Sequence, residues 1–157
     1  MATQYTAGLT AGQVLTAATM NQIGAVSETF TPTWTSSGTA PAIGNGTLSG
    51  RYFRIQKIVI AEYLMLPGST TTFGTGQYYW SLPITARTPL FQAGTAGYGR
   101  VYDVSTGTTY ITTTLFLSSN TSRISLIWNG TGVVGQTAPF TWANGDEASF
   151  YAVYEAA

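Results

Sequence analysis

Residues 47–66, TLSGRYFRIQKIVIAEYLML, run for twenty positions without Pro, Asn or Asp. Strands in globular proteins usually span about 3–10 residues, so one strand of this length is not expected. Gln56-Lys57 is the only neighbouring pair polar enough to serve as a two-residue turn, although it lacks the Asn-Gly or Asp-Gly that eases such turns. The stretch therefore predicts a hairpin that pairs Thr47–Ile55 with Ile58–Leu66. In its second arm Ile58, Ile60, Glu62, Leu64 and Leu66 face one way, and Val59, Ala61, Tyr63 and Met65 face the other. Both faces are apolar, so the arm is expected to be covered twice, once by its own fold and once by a neighbouring subunit. Glu62 then needs a cation, because an unpaired buried carboxylate is costly. Arg51 or Arg54, across the ladder, are the candidates for that ion pair.

The rest of the chain repeats the same grammar. From Glu28 onward, short runs rich in Thr, Tyr, Val, Ile, Phe and Trp alternate with Gly, Pro, Asn and Ser punctuation. Turn signals recur every 8–12 residues or so, the spacing of a β-sandwich or barrel. ETFTPTWTS alternates, with Pro32 marking an edge position, and Asn129-Gly130 and Asn144-Gly145-Asp146 mark turns. In QYYWSLPITA, Trp80 shares a face with Tyr78 and Leu82 and is expected in the core. Tyr79 points the other way, toward a subunit contact. The fold class predicted is all-β and antiparallel, a sandwich over 28–157.

Residues 1–27 differ. The first 25 are uncharged and rich in Ala, Gly and Thr. Thr16 can cap a short helix over 17–23, with Gly24 to end it. A single short helix exposing Leu9, Val14, Leu15, Met20 and Ile23 is not stable alone, so this segment is expected to be an arm that docks on a partner surface.

Chemistry is sparse. The chain has no Cys and no His, which removes disulfides, thiolate metal sites and the usual general base near neutral pH. Six carboxylates remain, at Glu28, Glu62, Asp103, Asp146, Glu147 and Glu155. Asp103 and Asp146-Glu147 fall in turn contexts, and none suggests a shared cleft, so no enzyme, metal or cofactor is expected. Six basic residues balance six acidic ones, which argues against nucleic acid. No stretch is long and apolar enough for a membrane helix and no signal peptide is evident. Only 8% of residues are charged, net charge is zero, and Thr and Ser make up about a quarter of the chain. Such a surface favours association over a free monomer.

Several of these runs together resemble a recurrent β-domain of tailed-phage virion proteins. They are Trp34, the stretch GTLSGRYFRI at 46–55, Trp80-Ser81-Leu82-Pro83, Gly145-Asp146 and the closing Tyr154-Glu155. The segment LTAGQVLTAATMNQI resembles the leader that precedes such domains. The chain departs from the pattern at the hairpin turn, where Gln56 stands in place of a common Gly. The resemblance implies a jelly-roll-like sandwich, a homotrimer on the virion surface, and attachment to other virion proteins through residues 1–27. It implies either a tail-fibre component that contacts the host, with loops 36–46, 67–77 and 129–138 as candidate contacts to a cell-surface glycan, or a protein that decorates the capsid. A carbohydrate-binding module is the reading outside this family. The interface residues expected are Ile58, Ile60, Glu62, Leu64 and Tyr79.

Overall fold

The structure is a computed structural model that describes residues 26–88, 90, 93–117, 120–130 and 132–157. The arm residues Leu9, Val14, Leu15, Met20 and Ile23, and the helix expected over 17–23, lie outside these. The described residues are all-β. Ten strands form one antiparallel sheet: β1 (Val26–Phe30), β2 (Trp34–Ser36), β3 (Thr47–Ile55), β4 (Ile58–Leu66), β5 (Tyr78–Ser81), β6 (Ala93–Asp103), β7 (Thr108–Leu117), β8 (Asn120–Trp128), β9 (Gly132–Val133) and β10 (Glu147–Glu155). The order across the sheet is β1-β3-β4-β10-β6-β7-β8-β5-β2, with β9 on β8.

The hairpin forms as its composition dictates. Thr47 pairs with Leu66 and the register runs without a slip to Ile55 opposite Ile58. Gln56, at φ 54°, takes the left-handed turn position without glycine. Arg54 Nε donates to the Gln56 carbonyl at 2.7 Å and braces the turn from the strand side.

The run ETFTPTWTS is not one strand. β1 and β2 are separated by Thr31-Pro32-Thr33 and sit at opposite edges of the sheet. Proline has no N–H to give a ladder, so the strand ends there. This short link decides the overall shape. A flat sheet in this order would hold β1 and β2 about 38 Å apart, at roughly 4.8 Å per strand spacing. The four steps from Phe30 to Trp34 span at most about 15 Å. The sheet must curl until its edges approach one another.

Its concave side holds the core. Val59, Ala61, Tyr63 and Met65 of β4 are buried, as are Ala148, Phe150, Ala152 and Tyr154 of β10, Val101 of β6, and Ile124 and Leu126 of β8. Trp80 of β5 meets Phe150 of β10 at 5.0 Å between ring centroids, although three strands separate them along the sheet. Phe150 stacks on Tyr63 at 4.7 Å. Phe30 reaches Tyr63 by lying over Gly50, where a Cβ would stand 2.4 Å from its ring. The end of the curl is closed by residues 82–87, whose backbone bonds join Ser122 and Thr121 of β8 to the β10 terminus: Leu82 to Ser122, Ala86 to Thr121 and Arg87 to Glu155.

Pairing of β10 with β6 extends only as far as Phe150 opposite Gly99. Beyond it, Thr114 of β7 reaches past Gly97 to donate its hydroxyl to the Tyr151 carbonyl at 2.9 Å. Thr114 is fully buried. Replacing it with the similarly shaped valine leaves that carbonyl unpaired, so Thr114→Val is expected to cost about 1–3 kcal/mol. A urea titration should show a lower midpoint with an unchanged slope.

Candidate functional site

Two surfaces stand out: the convex side of the sheet, and one end of the curl. Period-2 alternation places Ile58, Ile60, Glu62, Leu64 and Leu66 on the convex side of β4, opposite the buried row. Here Ile58 is 49% exposed and Ile60 37%. The described chain itself leaves this side open, so the second cover expected from the sequence is not supplied by its own fold.

The apolar surface extends further than β4. Val153 pairs with Ile60 and Tyr151 with Glu62 on β10; Arg100 pairs with Ile111 between β6 and β7. Tyr151, Val153, Tyr98 and Ile111 are all substantially exposed, Ile111 most at 68%. Ile60, Tyr98, Ile111 and Tyr151 line a shallow hollow of about 680 Å³, together with Ser149 and the charged Glu62 and Arg100. The extension carries a sequence signal of the same kind as β4. Residues 148–154, ASFYAVY, present large apolar or aromatic side chains in both phases of the alternation, Phe150 and Tyr154 inward, Tyr151 and Val153 outward.

Charges on this side are closed within the chain. Arg51 stands opposite Glu62 and donates to its Oε2 from Nε at 3.0 Å and from Nη2. Both side chains remain about half exposed, at 54% and 47%. Pairs this exposed contribute at most about 1 kcal/mol, so this one sets charge balance more than stability. Arg54 takes no part in it, being held by the turn. Arg100 pairs with Glu147 at 2.9 Å at the far border.

Tyr79 does not join this surface. It is only 8% exposed. The Arg123 guanidinium lies 3.9 Å from its ring centroid, and this cation–π contact covers it from within the same chain.

The end of the curl is built by loops. The loop at 37–46 and the loop at 67–77 zip together rather than project separately. Ala42 and Thr72 exchange backbone bonds at 2.8 and 2.9 Å, and Gly38 N–H donates to the Thr75 carbonyl. Asn45 Oδ1 accepts from both the backbone N–H and the hydroxyl of Thr70. A third loop joins them, since Gln136 N–H donates to the Gly76 carbonyl and Gly135 bridges Gln77. The three loops named from the sequence therefore meet at one end. Their exposed residues are mostly Ser, Thr, Asn and Gly, with Ala40, Ala42 and Val133 as apolar members.

The acidic turns are committed to the fold. Asp146, 1% exposed, accepts from the Val104 and Ala143 N–H groups and ties the β6–β7 turn to the loop before β10. Asp103 accepts from the hydroxyls of Ser105 and Thr106 and from both their backbone N–H groups. Glu147 holds Arg100 and Ser149. Among the described residues no group of three or more His, Cys, Asp or Glu could hold a metal ion. Among them, too, no helix is long and apolar enough to cross a membrane.

Comparison with protein-family models, with curated proteins and with solved structures gave no match.

The Ser105 hydroxyl, with further bonds from Thr106, holds the Asp103 carboxyl below its ordinary value. A lowered native pKa means stability that is present above the unfolded value and lost as pH falls through the native one. The advantage of the unaltered chain over Asp103→Asn should be complete above about pH 4 and shrink in more acidic solution. Urea midpoints of the two proteins across that range check this.

Proposed function

We propose that this chain is a non-enzymatic structural protein displayed on the surface of a tailed-phage particle as a homotrimer. In this reading the curled sheet is the jelly-roll-like sandwich of that family, its two wings facing each other across the aromatic core. The observation that carries the reading is the polarity of the domain. Val26, where residues 1–25 join the sheet, pairs with Arg54 beside the hairpin tip. The three converging loops adjoin the opposite ends of β3 and β4, at Thr47 and Leu66. Nine strand residues, about 26 Å at roughly 3.3 Å each beyond the first, separate the two ends. An arm at one end and rigid, hydroxyl-rich loops at the other suit a protein that is held at its base and presents its tip.

The tip favours the tail-component version, with the loops contacting a host glycan. The capsid-decoration version differs in copy number, hundreds per particle against a few. A carbohydrate-binding module is less well supported, because Trp34, Trp80 and Trp142 are buried and Trp128 packs on Tyr110. Stacking platforms for sugars need such rings in the open.

Removing residues 1–25 should leave a folded domain, with unchanged circular dichroism, that no longer joins particles. Truncated protein recovered with purified virions at the level of the full chain would defeat the docking role.

A further inference from the structure

We infer that the folded chain carries one spontaneous modification site, Asn129-Gly130, where the side-chain amide is lost and a carboxylate takes its place. Asparagine is among the thermolabile residues. The dipeptide Asn-Gly occurs three times, at 45–46, 129–130 and 144–145. In the reaction the main-chain nitrogen of the glycine gives up its proton to solvent hydroxide and attacks Cγ of the asparagine. A C–N bond forms, the side-chain nitrogen leaves as ammonia, and a cyclic imide joins the two residues. Water then opens the imide at either carbonyl, which leaves an aspartate or an isoaspartyl link whose backbone runs through the side-chain carbon. The sum consumes an amide and a water and yields a carboxylate and an ammonium ion, with nothing oxidised or reduced. By sequence the three sites are equal, because glycine has no Cβ to hinder the ring at any of them. The fold makes them unequal.

The attack needs a side chain free to swing, a glycine N–H free to lose its proton, and room for the peptide to turn. Asn45 meets none of these needs. Its Oδ1 accepts from the Thr70 N–H at 2.9 Å and its Nδ2 donates to Ser69 Oγ at 3.0 Å. The Gly46 N–H donates to the Ile43 carbonyl at 3.0 Å, and a Cβ on Gly46 would stand 2.5 Å from the Leu66 carbonyl oxygen. Asn144 is exposed, but the Gly145 N–H donates to the Pro67 carbonyl at 3.1 Å. The next residue, Asp146, is buried and fastened to the Val104 and Ala143 N–H groups. Asn129 differs on each point. It is exposed, and among the described residues neither its side chain nor the Gly130 N–H makes a hydrogen bond. Nothing lies within 4 Å of where a Cβ on Gly130 would stand. The turn holds φ at 49° and 75° over these two residues, and opening it breaks no bond of the kind that pins the other two sites. The loops 36–46, 67–77 and 129–138 contain no charged residue, so the new carboxylate is their first charge, on a chain of zero net charge. Only this consequence touches the display role; the chemistry goes beyond that reading and does not rest on it.

The test is ageing of the full chain in mildly alkaline buffer, with acidic species followed by ion exchange and located by peptide mass mapping. Asn129 should convert at least about tenfold faster than Asn45 or Asn144, whose reaction must wait for local opening. The rate should rise with pH, because the attacking nitrogen must first lose its proton. In urea, where the protecting bonds are gone, the three sites should convert at similar rates. Asn129→Gly suits the left-handed turn and has no amide to lose, so it should abolish the acidic species of the folded chain with unchanged circular dichroism. Asn144→Ser should leave those species as they are. If Asn45 or Asn144 keeps pace with Asn129 in the folded chain, the protection assigned to the fold is wrong. If Asn129 stays intact in the folded chain while the urea-treated chain converts there, the site is wrong. These readouts are chemical, so failure of the display reading, seen in the arm deletion, leaves them untouched.

Discussion

The fold depends on an aromatic contact across a curled sheet. Tyr63 and Phe150, neighbours on β4 and β10, stack at 4.7 Å, and Trp80 of distant β5 closes on Phe150 at 5.0 Å. Each ring brings a large apolar area out of water, and edge-on or offset pairs add about 0.5–1.5 kcal/mol beyond that area. The Tyr63 hydroxyl donates to the Ser81 carbonyl at 3.3 Å, so the same residue ties the two wings by a polar bond as well. Burial raises the Tyr63 phenol far above its ordinary pKa, which keeps it a neutral donor. The Thr31-Pro32-Thr33 link and the 82–87 segment span the same two wings, so covalent link, backbone bonds and aromatic contact all hold one curl.

The curl has a consequence for the other side of the sheet. Once the concave face is filled by β4, β10, β6 and β8, the convex face is left with whatever the alternation assigns to it. On β3 and β4 that includes an ion pair among aliphatics, and on β10 and β6 it includes the tyrosines Tyr151, Tyr98 and Tyr102. A chain with 8% charged residues has few groups with which to make such a face hydrophilic. Of the three described ion pairs, Arg51 with Glu62 and Arg100 with Glu147 lie on this face among its apolar residues, and Arg87 meets Glu155. The apolar centre is thus a direct result of composition combined with topology.

How much of this was legible in the sequence follows from the range over which each force acts. The hairpin was legible because strand length, polarity of Gln56-Lys57 and period-2 alternation are local, and they specify a register. The break at Pro32 was visible as an edge signal, but the sequence reading kept ETFTPTWTS as one alternating run. Nothing local says that the strands on either side of the proline belong to opposite edges, since pairing partners are chosen by long-range burial. The cover over Tyr79 was not legible for a related reason. Alternation correctly put it on the convex side, but the Arg123 side chain that covers it comes from a strand 44 positions later. The zipping of the loops was hidden as well. It rests on side-chain caps from Asn45, Thr70 and Thr75, and such bonds depend on two loops being neighbours before either residue has a partner.

The same logic explains why the exposed apolar face reaches beyond β4. Residues 58–66 announce themselves because Ile, Val, Leu and Met fill both phases. In β10 and β6 the outward positions are Tyr, Val, Ser, Glu and Arg, which a local reading assigns to a half-wet surface. Only the sheet order, which sets β10 beside β4 and β6 beside β10, joins these moderate side chains to the strongly apolar arm. Exposure that is unremarkable at each position becomes a continuous face when four strands lie side by side. A face of this kind is a property of topology, and it becomes readable once strand order is known.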